Sequence, residues 1–254
     1  MELKEALSRL EKITQEQPYP LLFATVSGAH LYGFPSADSD YDLRGVHILP
    51  KEETLGMKNL RETIEVSRDT DDLELDLVTH DVKKFFHLLL RPNGYVLEQL
   101  LSPIVIHTTK AHKELCEKSD LFFTRHHAHH YLGFSRNQWK LFQKDNPRRV
   151  KPLLYVYRTL LTGIFLMENE KLEANLCTLN ERYRLSYLDE LIEMKKTGAE
   201  REHLPDDDFQ FHEKEYHRLS SELESWRDKT SLPEKNSGLD FLHELLLRLR
   251  IDGE

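Results

Sequence analysis

Ser27-Gly-Ala-His-Leu-Tyr-Gly-Phe-Pro-Ser-Ala-Asp-Ser-Asp-Tyr-Asp-Leu-Arg44 decides how the rest of the chain is read. Just before it, Leu21-Leu-Phe-Ala-Thr-Val26 is a continuous apolar run, short enough for a buried strand that ends in the Ser27-Gly28 turn. At its other end, Tyr41 to Leu49 alternates apolar and polar residues and stops at Pro50, as a strand with one buried face does. Asp40 and Asp42 are two apart at the start of that second strand, so their carboxylates leave one face about 6 to 7 Å apart along the backbone. Such a pair suits hard cations, and paired metals roughly 3.5 to 4 Å apart clamp a transferring phosphoryl group.

A third carboxylate is expected from a neighbouring strand. Asp72 to His80 has period-2 character, with Leu73, Leu75 and Leu77 on one face and Asp72, Glu74 and Asp76 on the other. Asp76 fits the role of completing the metal site and helping to deprotonate an acceptor, with Glu74 next in line. Gly28 follows a strand and is placed to expose backbone N–H groups to phosphate oxygens. The Gly28 to Gly33 spacing lacks the Lys-Ser/Thr of an NTPase loop.

Around this centre the periodicity sets out an α+β order. Leu3, Leu7, Leu10 and Ile13 mark an opening helix that Pro18 and Pro20 end. Weak strand signal surrounds Thr63 to Val66. Asp81 caps a helix striped by Val82, Phe85, Phe86, Leu89 and Leu90 and stopped by Pro92-Asn-Gly94. A short helix through Leu97, Leu100 and Leu101 and a strand at Ile104 to Ile106 follow. Beyond His112 the patterns are amphipathic and helical: 126–144, 151–167, 180–196, 208–229 and 239–250. The expected division is a catalytic domain over 1–119 and a helical domain over 120–254, with linker-like stretches at 144–152 and 198–205.

The chain has 254 residues, 35 Lys+Arg and 44 Asp+Glu, a formal charge of −9, which argues against nonspecific coating of nucleic acid but leaves room for a locally basic groove. Two distant cysteines, Cys116 and Cys177, exclude a disulfide framework and a Cys-based zinc motif, and a reducing cytoplasm is the natural compartment. No signal peptide, anchor or membrane span is read from the sequence.

Ser27-Gly-Ala-His-Leu-Tyr-Gly33 and Asp38-Ser-Asp-Tyr-Asp-Leu-Arg-Gly45 resemble the polymerase-β-like nucleotidyltransferases, whose signature is a Gly-Ser turn after the first strand and Ser-Asp-x-Asp on the second. With the Asp81 to Leu101 helices and Lys151-Pro-Leu-Leu-Tyr-Val-Tyr-Arg158, the closer likeness is to the RNA-repair-pathway DNA polymerase beta family. The resemblance covers about residues 20 to 170. It implies a mixed sheet flanked by helices, followed by a C-terminal helical domain that closes over the nucleotide. It also implies Mg²⁺ or Mn²⁺ on Asp40, Asp42 and Asp76, and a nucleoside triphosphate donor, expected to be ATP. Nucleotide binding then falls to Ser27, Gly28, Ala29, Ser39, Arg44, Lys151, Tyr155 and Arg158.

Ala29 departs from the pattern, because the usual Gly-Ser pair is Gly28-Ala29 here. A hydroxyl that would help hold the terminal phosphates is missing, although the backbone N–H groups survive and Ser27 or Ser39 offers another hydroxyl. Within 136–158 seven basic residues face a single acid, Asp145, a local +6 that suggests an anion site. Lys151, Tyr155 and Arg158 stand at i, i+4 and i+7, on one helix face, and the resemblance places them at the triphosphate and base. The expected reaction transfers a nucleoside monophosphate to an acceptor hydroxyl and releases pyrophosphate. The acceptor stays open between an RNA end and a protein partner, and a catalytically inactive nucleotide- or RNA-binding module is the alternative. His126-His-Ala-His-His130 is read as a solvated, partly packed face rather than a metal site. Asp206 to Asp208 is read as the start of a capped acidic helix, and the Leu239 to Leu249 stripe as core.

Overall fold

The structure, a computed structural model, describes residues 3–36, 39–70, 73–198 and 208–253. Asp38, Asp72, Asp206, Asp207 and most of the 198–205 linker, named above, lie outside the described residues. The chain forms two compact units: Met1–Gly28, Asp40–Phe122 and Lys235–Glu254 make one, and Ala29–Ser39 with Phe123–Glu234 make the other. The contiguous split at 119/120 expected from sequence is thus corrected in two places. The stretch after the glycine turn belongs with the helices, and the C-terminal helix rejoins the unit that holds the sheet.

Unit 1 is a five-stranded mixed sheet of order β3-β4-β2-β1-β5. Its strands are β1 (Leu21–Val26), β2 (Tyr41–His47), β3 (Thr63–Thr70), β4 (Leu73–Asp81) and β5 (Val105–Thr108). β1 is antiparallel to both β2 and β5, and β3 to β4, whereas β2 and β4 run parallel. β1 is buried along its whole length because both sheet faces are covered there. Leu10 and Ile13 of α1 (Leu3–Gln15) pack with Ala24, Val26, Leu43, Leu75 and Leu77 on one face. On the other, Phe23 meets Phe85 of α4 (Val82–Leu89) edge-on and stacks on His112 of α6 (Lys110–Glu117), a helix the sequence reading did not assign. The Thr25 hydroxyl donates to the carbonyl of Gln99 in α5 (Gly94–Leu100). The short α3 (Lys51–Thr54) lies between β2 and β3.

Asp81 caps α4 by accepting from the Lys83 N–H at 3.0 Å, as its position predicts, and does more. Its carboxylate is 1% exposed and receives both bonds of 2.6 Å from Arg250, just after α12 (Leu239–Leu247). Arg248 reaches Glu114 at 2.7 Å, and Leu242, Leu245 and Leu249 are buried. These two arginines and the leucine stripe fix the C-terminal segment to unit 1.

Unit 2 holds α7 (His127–Lys144), α8 (Val150–Asn169), α9 (Leu176–Tyr183), α10 (Ser186–Thr197) and α11 (Phe209–Lys229). α8 is long and apolar enough to cross a membrane, but 83% of its most apolar stretch is buried inside the protein, where it is the central helix. The single helix expected over 180–196 is two: Arg184 takes a left-handed φ of 54°, and the Asn180 side chain accepts from the Leu185 N–H and donates to Asp189. Trp139, Phe142, Phe209 and Tyr216 form an aromatic stack between α7 and α11.

In the histidine cluster His126 and His129 are exposed, while His127 is fully buried. Burial holds the His127 imidazole down at about 4, with His130 and His126 adding to the effect against the Thr124 carbonyl. The native ring is therefore neutral, whereas the unfolded one takes up a proton below about pH 6.5, so its share of stability is lost between about 6.5 and 4. In urea unfolding at pH 7, 6, 5 and 4, His127→Gln is expected to be less stable at pH 7. Its deficit should shrink on acidification by up to about 3 kcal/mol. A pH-independent deficit would refute the neutral buried ring.

Candidate functional site

β2 and β4 pair in parallel with Asp42 directly opposite Asp76 and Leu43 opposite Leu77. Because side chains alternate along a strand, burying Leu43, Leu75 and Leu77 against α1 sends Asp42, Arg44 and Asp76 together to the opposite face. Like charges opposite one another repel. Arg44 relieves the repulsion: its Nη2 donates to Asp42 Oδ1 at 2.7 Å and to Asp76 Oδ2 at 3.0 Å. Nη1 donates to the carbonyls of Leu43 and Asp76 at 3.0 and 2.7 Å, and Nε donates to the Tyr95 hydroxyl at 2.8 Å. All five guanidinium N–H donors thus have a bond. Burial opposes the charge on Arg44, but Tyr95, Asp42 and Asp76 outweigh it and hold the group above its ordinary pKa.

The turn over this pair is built for glycine. Gly28 has φ +62°, and a Cβ there would lie 1.9 Å from Asp42 Oδ2. The Ser27 N–H donates to the Asp42 carbonyl at 2.7 Å, which binds the turn to β2. The Ser27 side chain is 1% exposed, and its hydroxyl has no hydrogen-bond partner among the described residues. Asp40 is exposed just before β2. Among the described residues, no three His, Cys, Asp or Glu side chains gather around one point, so Asp42 and Asp76 converge without Asp40.

Residues 29–39 are held within unit 2. Tyr32, at the end of α2 (Gly28–Tyr32), lies 3.9 Å under the Arg158 guanidinium, and Tyr155 packs edge-on against Tyr32 and Phe34. Arg158 is 3% exposed and works as a packing cation on Tyr32 rather than presenting an open face. Lys151 and Tyr155 are half-buried on the same helix. Gly33, at φ +88°, is closed in by Asn175, the cap of α9, and the Cys177 thiol donates to the Gly33 carbonyl. Ser39 accepts from the Ser36 N–H at 2.9 Å, and the two hydroxyls are 3.0 Å apart. The Lys195 ammonium, on a side chain only 2% exposed, donates to the Ser36 hydroxyl at 2.5 Å. Ala29 is 8% exposed, so its methyl is packed where the family pattern has a hydroxyl.

Two residues of these two groups, Tyr95 and Lys195, were missed by sequence reasoning. Tyr95 follows Pro92-Asn-Gly94 and Lys195 falls in the 180–196 helical pattern, neither with a local signal, while Arg44, assigned to the nucleotide, bridges carboxylates only through the parallel register. Gly28→Ala is expected to displace the Asp42 side chain and cost about 1 to 3 kcal/mol, since neither φ nor space admits a methyl. Thermal unfolding checks it, and a Tm within 1 °C or so of wild type would contradict the crowding.

A protein-family model described as the RNA repair pathway DNA polymerase beta family matches residues 3–248. Over 156 residues the chain is 31% identical to an uncharacterized protein, MJ0002, of Methanocaldococcus jannaschii, covering 61% of this chain and 63% of that protein. It is 29% identical over 157 residues to the uncharacterized protein YcgL of Bacillus subtilis, covering 61% and 59%. The chain thus spans about six-tenths of the length of these curated relatives. A solved nucleotidyltransferase-like protein from Exiguobacterium sibiricum aligns over 98% of this chain and 79% of its own, at 12% identity and a TM-score of 0.36. With a glycine turn and an Asp pair set on a mixed sheet, and with a match over nearly its whole length, the chain belongs to the RNA repair pathway DNA polymerase beta family.

Proposed function

We propose that the chain transfers a nucleoside monophosphate from a nucleoside triphosphate, expected to be ATP, to an acceptor hydroxyl, with release of pyrophosphate. The observation that carries this reading is the convergence of Asp42 and Asp76 on one cationic nitrogen, Arg44 Nη2, beside a turn that only glycine fits. Two carboxylates sharing a single positive centre are a donor set for a hard divalent ion, so the residues suit Mg²⁺ or Mn²⁺. Asp42 and Asp76 would hold it, with Asp40 as the expected further ligand. Such an ion neutralises triphosphate charge and makes the acceptor hydroxyl easier to deprotonate.

The chain's own groups divide the remaining work. The backbone N–H groups at Gly28 and Ala29 face phosphate oxygens, and the Ser27 hydroxyl gains a partner there. Arg44, anchored by Tyr95 and two backbone carbonyls, offers Nη2 to phosphate charge beside the carboxylates. Asp76 accepts the proton of the acceptor hydroxyl. The acceptor oxygen bonds to the α-phosphorus as the bond from that phosphorus to the α,β-bridging oxygen breaks, and pyrophosphate leaves. Arg158 acts at one remove, through its hold on Tyr32.

A second reading has an observation of its own. Ala29 lacks the hydroxyl, and Arg44 fills the space between the carboxylates, as in a module that binds nucleotide or RNA without chemistry. Pyrophosphate release from each of the four NTPs with Mg²⁺ or Mn²⁺, with and without mixed RNA, separates the two. Activity is expected for wild type and its loss for Asp42→Asn with an unchanged circular dichroism spectrum. Nucleotide binding with no release under any condition would favour the non-catalytic module. Nucleotide added to a co-purified protein, found by mass spectrometry, would make a protein hydroxyl the acceptor.

Arg44→Gln tests the cation site without turnover. Removing the guanidinium leaves two carboxylates facing each other, so the metal-free Tm is expected to fall by several degrees. Mn²⁺ should then raise Tm more in the variant than in wild type, since the ion no longer competes with a resident cation. An equal or smaller Mn²⁺ shift in Arg44→Gln would count against Asp42 and Asp76 as metal ligands.

A further inference from the structure

Acids are scarce in one part of this acidic chain. From Leu121 to Met167 there are eight Lys or Arg and a single acid, Asp145, a net +7 that leaves −16 for the remaining residues. The apolar interior of α8 explains part of the deficit, but α7 is an amphipathic helix with a solvent face. Its buried side carries Ala128, Tyr131, Leu132, Ser135, Trp139 and Phe142. The opposite side carries exposed His126, His129, Arg136, Asn137, Lys140 and Lys144, and no carboxylate.

Arg136, Lys140 and Lys144 follow at i, i+4 and i+8, one above another at about 6 Å steps along the axis. None has an ion-pair partner among the described residues. Elsewhere arginines are neutralised at short range: Arg68 by Glu16, Arg182 by Glu168, Arg218 by Glu215 and Glu222, Arg248 by Glu114. Even Arg149, just past α7, is bonded to Asp145. A row of cations kept clear of acids on a protein of net charge −9 is the electrostatic arrangement that attracts a polyanion.

Gly133 adds a separate observation. It sits inside α7 on the same exposed side, where glycine weakens a helix, yet a Cβ there would meet nothing within 4 Å. Packing within the protein therefore gives no reason for a glycine, whereas close approach of another backbone to the helix does. At the N-terminal end of the row, the His126 and His129 rings lie stacked, 5.9 Å apart, as a flat surface on which a base can rest.

We propose that the exposed face of α7 is an RNA-binding strip. Arg136, Lys140 and Lys144 contact successive phosphates of a single strand, Gly133 allows its sugar-phosphate backbone to lie against the helix, and the His126–His129 pair takes a base. The bound strand is the acceptor only if the transfer reading above holds, while the binding itself does not depend on that reading. The spacing favours an extended strand over a membrane: a lipid surface would call for apolar side chains beside the cations, and only Leu141, 47% exposed, stands there.

The test is fluorescence anisotropy with a labelled mixed-sequence 12-nucleotide RNA between 50 and 200 mM KCl, without nucleotide or divalent ion. Wild type is compared with Arg136→Gln/Lys140→Gln/Lys144→Gln and with Gly133→Ala, each matched to wild type by circular dichroism and Tm. The triple variant is expected to bind at least tenfold more weakly at 50 mM KCl. Its log K against log salt slope should be shallower by about 2, from three lost phosphate contacts at ~0.7 each. Gly133→Ala is expected to weaken binding several-fold with the slope unchanged. No wild-type binding at 50 mM KCl, wild-type affinity in the triple variant, or preference for phosphatidylserine vesicles over RNA would each overturn the strip. Strip-dependent RNA binding without pyrophosphate release would uphold it and remove the transfer reading. Transfer to a protein hydroxyl without strip-dependent binding would do the reverse.

Discussion

Two carboxylates face each other across a parallel strand pair, and much of unit 1 is arranged around that unfavourable contact. The register of β2 on β4 is set from the other face of the sheet, where Leu43, Leu75 and Leu77 are buried. A slip of one residue would carry Asp42 or Asp76 into that core, which costs far more than the repulsion it would relieve. Apolar burial therefore holds the acids opposite one another, and a cation must answer them. Arg44 lies two residues beyond Asp42, so the same alternation that exposes the acids delivers the guanidinium to their face. Tyr95 and two backbone carbonyls then fix its orientation.

The turn over the pair obeys a different constraint. Gly28 lies so close to Asp42 that no side chain fits, and immediately after it the chain enters unit 2. There the short stretch to Ser39 is held by buried cations: Arg158 on Tyr32 and Lys195 on Ser36. Lysine and arginine are seldom buried without a partner, because desolvation must be offset by bonds of good geometry. Both are nonetheless used to hold the segment that bears two motif positions, Ala29 and Ser39. The sheet of unit 1 sets Asp42 and Asp76, and the helices of unit 2 hold Tyr32 and Ser36.

That division explains what could be read in the sequence. Period-2 and period-3.6 patterns report burial of one face, so β1, β2, β4, α1, α4 and the long helices of unit 2 were legible, and so was the placing of Asp42 and Asp76 on neighbouring strands. Features that arise from contacts distant in sequence were not. Tyr95 is 51 residues from Arg44, and Lys195 is 159 from Ser36. Their side chains carry no local signal of either partner. The return of α12 to unit 1 depends on Arg250 reaching Asp81, 169 residues away, while locally α12 reads as one more amphipathic helix. The break at Arg184 was hidden because a left-handed residue other than glycine leaves hydropathy periodicity undisturbed. The contact of Arg158 with Tyr32 was hidden for a related reason: helix spacing puts Arg158 in line with Lys151 and Tyr155 and carries no signal of Tyr32.

Arg44 also bears on how an occupied cation site can remain available. Of its five bonds, two go to carboxylate oxygens and three go to Leu43, Asp76 and Tyr95 through groups other than those carboxylates. On the function proposed above, a divalent ion would compete for the first two alone, and the other three would still anchor the guanidinium. The same anchoring keeps Nη2 beside the carboxylates, where a bound polyphosphate adds negative charge. On the function proposed above, the residue that neutralises the acids in the absence of ligand is also the one that would neutralise the ligand, so a filled site and a functional one are compatible.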